Sequence, residues 1–143
     1  MGIEHLRLKD DVELRNSYID RGFDAKARGK LDLAVKYFSS ALELKPPFDL
    51  EVMLVFDICA MLRELGQYRK AGECMVQMQK KRAAELQPAM AEEMTVSLKY
   101  MEILEEMLAR ANTPCLPFSK IPALIIVSAE EKLNRWISQN LGE

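Results

Sequence analysis

Apolar residues recur three and four positions apart along this chain, with polar residues between them, and that spacing predicts helices from end to end. Residues 1–9 read as a short lead-in that can fray. Asp10 and Asp11 then offer an N-cap to a first helix reaching about Arg28, on which Val12, Ile19 and Phe23 recur with Tyr18, Gly22 and Ala25 beside them. Gly29 stops it. A second helix, Lys30 to Leu44, carries Leu31, Ala34, Val35, Phe38, Ala41 and Leu42 on one stripe until Pro46 and Pro47 end it. Asp49 is placed to cap a third helix bearing Val52, Val55, Phe56, Cys59, Ala60 and Leu62, which Gly66 breaks. The fourth is expected to reach Glu85 or Leu86, with Pro88 ending it. The fifth, from about Ala89 to Ala111, aligns Met90, Met94, Leu98, Met101, Leu104 and Leu108.

After the fifth helix the pattern changes. Residues 112–122 hold three prolines, a loop longer than compact helical domains ordinarily use, and such loops tend to be functional or mobile. The segment that follows has two readings. Pro122 can open one long helix, or residues 123–127 can be extended with the helix starting at Ser128, where Ser128-Ala129-Glu130-Glu131 forms a capping box. In both, Leu133, Trp136, Ile137 and Leu141 supply the inward face.

Composition narrows the fold class to all-α. Only 7% of residues are aromatic while 49% are hydrophobic, which favours an Ala, Leu and Met core over a β-sandwich. At 143 residues the chain reads as a single helical domain that needs no external staple. The formal charge of −2, with Lys and Arg dispersed among Asp and Glu, lacks the footprint that phosphate binding requires, so no nucleic-acid partner is expected. The opening residues lack the basic flank and apolar run of a signal peptide, and Leu6 stands where a myristoylation signal needs Ser or Thr. The longest apolar run, Ala123 to Val127, is too short to span a bilayer; a cytoplasmic protein without membrane insertion is the expectation.

Little in the chain suggests catalysis. His5 is the single histidine and falls in the lead-in. Glu92-Glu93, Glu105-Glu106 and Glu130-Glu131 are adjacent pairs, and neighbours in a helix point apart, so they read as solvated faces. Cys59, Cys74 and Cys115 lack zinc or redox spacing and are expected reduced and structural. The 9 methionines, at helical spacing, read as core filler, and Lys80-Lys81-Arg82 as a solvated face complementing a helix end. No enzyme activity, no cofactor and no metal are expected.

One pattern repeats. Gly29-Lys30-Leu31, Ala34, Phe38 and Ala41 return as Gly66-Gln67-Tyr68, Ala71, Met75 and Met78, 37 residues later. On these residues the chain resembles the tetratricopeptide repeat family: one repeat over 15–48, a second over 52–85, and a diverged third pair or capping helices over 89–141. It departs from the family where Arg21 replaces the usual leucine, Cys59 a small glycine and Ala25 an aromatic. The resemblance implies a right-handed stack of five to six helices in antiparallel pairs, whose first helices line a concave groove that binds peptides or helices.

Carried onto this sequence, the resemblance puts Asn16, Ile19, Asp20, Phe23 and Lys26 of the first helix and Met53, Phe56, Asp57, Ala60 and Arg63 of the third in that groove. Ile19 and Phe23 replace the polar residues of family members that clamp a C-terminal carboxylate. What remains is an apolar strip with charged edges, suited to an amphipathic helix or apolar extended peptide. The implied role is a non-catalytic protein-interaction module: adaptor, scaffold or chaperone-like. The alternative is a self-assembly module whose groove is filled by its own Leu116, Phe118 and residues 123–127 or by a second subunit, which allows a homodimer.

Overall fold

The computed structural model describes residues 2–141, with side chains from Asp10 onward. The described residues contain no strand; they form α1 (Gly2–Ala27), α2 (Leu31–Glu43), α3 (Phe48–Glu64), α4 (Tyr68–Lys81), α5 (Pro88–Arg110) and α6 (Ala123–Asn140), plus a 3-10 turn at Phe118–Lys120. The fold is therefore all-α with six helices, within the expected number. None of them is long and apolar enough to cross a membrane. The chain divides into two compact units, Met1–Met61 and Leu62–Glu143.

In the first unit α1 and α2 form a hairpin. Gly29 sits at φ 77°, where its N–H donates to the Lys26 carbonyl at 3.0 Å and the Lys30 N–H donates to Ala25 at 2.9 Å. These bonds satisfy carbonyls that the helix end leaves open, and glycine adopts the left-handed conformation at least cost. Ala34, Phe38 and Ala41 are fully buried on α2. Gly22 of α1 is what admits Phe38, since a Cβ there would overlap the ring.

The second unit repeats the same turn. Gly66 stands at φ 75°; its N–H donates to Arg63 at 3.0 Å and the Gln67 N–H donates to Leu62 at 2.8 Å. Ala71, Met75 and Met78 are buried in the places that Ala34, Phe38 and Ala41 hold in the first hairpin. The core here joins Tyr68, Ile103, Leu104, Leu108, Ile121 and Ala129, with Tyr100, Leu116, Phe118 and Leu133 packed against it.

The turn occurs a third time, where the sequence pattern was expected to fail. Asn112 takes φ 62°, its N–H donates to Ala109 at 3.1 Å, and the Thr113 N–H donates to Leu108 at 2.9 Å. Asparagine is the usual substitute for glycine at this position. No helix follows directly; the chain runs through the Pro-rich loop before α6 buries Ala129, with Leu133 four residues on.

Several boundaries differ from expectation. α1 begins at Gly2, so residues 2–9 are helical rather than a lead-in; beyond Gly2 they contain no breaker and are rich in helix-forming Leu, Glu, Arg and Lys. α3 starts at Phe48, where the Pro47 carbonyl accepts from the Glu51 N–H at 2.9 Å; Asp49 lies in the first turn, favourable to the helix dipole, instead of capping it. α4 stops at Lys81, because the Glu85 and Leu86 N–H groups both turn back to the Arg82 carbonyl. Pro88 opens α5 rather than closing α4. Of the two readings of the last segment the single long helix holds; it runs from Ala123, and only the place of Pro122 differs, as N-cap rather than first helical residue.

Burial departs from the stripes in two ways. Val12, Phe23 and Ala60 are exposed. α3 buries Leu54, Ile58 and Met61 in addition to Val55, Cys59 and Leu62, a face wider than one stripe.

Candidate functional site

The strip inferred for α1 and α3 has a definite geometry in the first unit. On α1, Asn16 and Asp20 are exposed and Ile19 is half-buried. Phe23 is 42% exposed, yet it is held in place: its ring meets the fully buried Phe38 in a T-shaped contact, centroids 5.1 Å apart and planes at 72°. One turn on, the Lys26 ammonium lies 3.5 Å from the Asp57 carboxylate and so ties α1 to α3. On α3, Met53 is 41% exposed, Phe56 is half-buried and Ala60 is exposed. Lys26 and Asp57 are thus brought together as a charged edge. Arg63 belongs to the second unit, where its guanidinium stacks 4.8 Å from the centre of the Phe118 ring.

The second unit holds a connected set of contacts between the turn at 63–68 and the Pro-rich loop. The Glu64 carboxylate accepts from the Ser119 N–H at 3.0 Å and from the Ser119 hydroxyl. The Tyr68 hydroxyl donates to the Leu116 carbonyl at 2.6 Å. Gly66 lies directly against the Cys115 carbonyl, leaving no room for a Cβ. Tyr100 and Phe118 meet edge to face at 6.4 Å. Burial, and after it the Glu64 charge, pushes the Tyr68 hydroxyl up to about 12. The same order of causes, burial and then Glu130, raises Tyr100.

These contacts alter the reading of the loop. Leu116, Phe118, Ile125 and Ile126, weighed above as a cover for the α1/α3 strip, pack on the core of the second unit. Nothing in the loop's composition signalled this; the partners that hold it lie about 50 residues earlier.

The described residues offer no group of three His, Cys, Asp or Glu side chains able to hold a metal ion, and the His5 side chain lies outside them. No disulfide joins the three cysteines: Cys59 is buried, Cys74 is half-buried with its thiol raised by burial and by Glu73, and Cys115 is exposed. Compared with known proteins, the chain matches no family model, no curated protein and no solved structure.

Proposed function

We propose that the chain is a non-catalytic, tetratricopeptide-type interaction module that binds a helical or extended apolar peptide along α1 and α3. The observation that carries this reading is Phe23: a large aromatic, 42% exposed, immobilised edge-on by a fully buried partner ring. An exposed ring held in one orientation loses little conformational freedom on binding, which is what an anchor residue requires. Met53, similarly exposed on α3, supplies adaptable apolar surface, and the Lys26–Asp57 pair gives the strip a polar edge. The two turns at Gly29 and Gly66 and the matched burial of Ala34 with Ala71 support the tetratricopeptide reading.

The test compares wild-type protein with Phe23→Glu and Met53→Glu in pull-downs from a lysate of the source organism. A protein retained by the wild type and lost by both folded variants supports the strip. Unfolding of Phe23→Glu would assign that ring to the core and overturn the reading.

The self-assembly alternative draws on a separate observation. Leu124 and Val127, on α6, are 85% and 51% exposed. If the chain dimerises through this face, Leu124→Glu with Val127→Glu converts a sedimenting dimer to a monomer; a wild-type monomer at high concentration dismisses it.

A further inference from the structure

A groove runs along α4 and α5 in the second unit, about 610 Å³ in volume. Its floor is apolar, lined by Val76 of α4 and by Leu98 and Met101 of α5. Gly72 lines it as well, beside Leu98, and this glycine is out of place by ordinary packing logic. It sits inside a helix, where glycine is less favourable than alanine. Its φ is not positive, and a Cβ there would meet Leu98 at 3.6 Å, an ordinary contact. Neither backbone conformation nor close approach requires it, so its effect is to leave the groove deep at mid-length. The contrast is with Gly22 and Gly66, each of which has a neighbour that a Cβ would overlap.

The rim has one predominant sign. Glu73, Glu102 and Glu105 line it against a single Arg69. Arg69 is already engaged, its guanidinium 3.2 Å from the Glu105 carboxylate across the two helices. Lys99 reaches Glu102 at 3.4 Å, while its ammonium also lies 5.6 Å from the centre of the Trp136 ring. Glu73 is exposed. The groove continues toward the end of α5 through Tyr68, Arg69, Glu73 and Glu105 into a second hollow of about 730 Å³, where Glu106 adds a further carboxylate and Lys70 one more cation. On the α4 side the two hollows are lined from Gly66 to Gln77, so the groove is about 18 Å long, the length of a helix of just over three turns.

We propose that the α4–α5 groove is a docking site for a basic amphipathic peptide helix, its apolar face on Val76, Leu98 and Met101 and its lysines or arginines against Glu73 and Glu102. The apolar floor supplies affinity and the acidic rim supplies sign selectivity, the division of labour general to peptide grooves. This site is independent of the strip on α1 and α3.

The probes are two fluorescein-labelled synthetic helices of about 14 residues, one of leucine and lysine, the other of leucine and glutamate, read by anisotropy. The expected result is binding of the lysine peptide that weakens as NaCl is raised to about 0.5 M, with the glutamate peptide at least about tenfold weaker. Gly72→Leu, which fills the floor, should abolish binding. Glu73→Lys with Glu102→Lys, both at the rim, should reverse the preference between the two peptides. Glu92→Lys with Glu93→Lys makes the same change in net charge at exposed positions in the first turns of α5 and should leave the preference intact.

Phe23→Glu should also leave it intact. Equal affinity for both peptides, a preference that survives reversal at Glu73 and Glu102, or one lost equally in the Glu92 and Glu93 control would overturn the proposal. So would binding that disappears in a folded Phe23→Glu protein, since that result places the peptide on the first unit and favours the function proposed above instead.

Discussion

Tyr68 and Leu116 are joined by a 2.6 Å hydrogen bond from phenol to backbone carbonyl, although 48 residues separate them in sequence. Tyr68 is also one of the buried members of the core that Ile103, Leu104 and Leu108 build, so one side chain serves both packing and polar closure of the loop. Removing the hydroxyl in Tyr68→Phe leaves the carbonyl without this donor and should cost about 1–2 kcal/mol in urea unfolding at neutral pH.

The same residue makes stability depend on alkali. Its hydroxyl titrates at about 12 in the folded chain against an ordinary 10.0. The neutral form is the one the fold favours, so the contribution is fully present below the unfolded value and is lost as pH rises through the folded one. Between about pH 10 and 12 the wild type should therefore lose on the order of 2 kcal/mol that Tyr68→Phe does not lose. Parallel urea midpoints across that range would measure it; identical slopes for the two proteins would contradict it.

Gly29 and Gly66 share one conformation but not one environment. At Gly29 nothing lies within 4 Å of an added Cβ, whereas at Gly66 the Cys115 carbonyl occupies that space. Gly29→Ala should cost only the left-handed penalty, about 1–2 kcal/mol. Gly66→Ala adds the displacement of the loop backbone and should cost clearly more, which chemical denaturation of the two variants would show.

Gly22→Ala should destabilise by about 1–3 kcal/mol through overlap with the Phe38 ring, and pairing it with Phe38→Leu should recover part of the loss. A double-mutant cycle on urea midpoints tests the coupling. Additive losses would show that the ring is not what makes glycine necessary.

Lys26 and Asp57 are 42% and 28% exposed, so their ion pair should contribute less than about 1 kcal/mol to stability. Lys26→Ala should leave the urea midpoint nearly unchanged, and raising the salt concentration should remove what remains of the coupling.

Helix positions and the residues that pack them were legible because their signals are local. Ala34-x-x-x-Phe38 and Ala71-x-x-x-Met75 announced their helices and their burial, and Gly29 and Gly66 announced their turns. The third turn was missed because Asn112 performs there what glycine performs elsewhere, and a search for glycine passes over it. The end of α4 was placed too late because alanine and glutamate after Lys81 favour helix intrinsically; the chain leaves the helix where its buried stripe ends, at Met78. The role of the Pro-rich loop was illegible for a different reason. Its holding groups, Glu64, Gly66 and Tyr68, belong to another hairpin, and no periodicity within 112–122 encodes a contact made at such separation. Gly72 was passed over as well, since a lone glycine in a helical pattern becomes informative only when its neighbours are seen.

The bonds from Glu64 to Ser119 and from Tyr68 to Leu116 span 55 and 48 residues, whereas the Gly29 hairpin is closed by bonds reaching five. Closing a long loop costs more chain entropy than closing a short one and slows the step that depends on it. The order of assembly is thereby written into the chain: during synthesis the α1–α2 hairpin can close as soon as its own residues are available, while the second unit must wait until Ser119 has emerged.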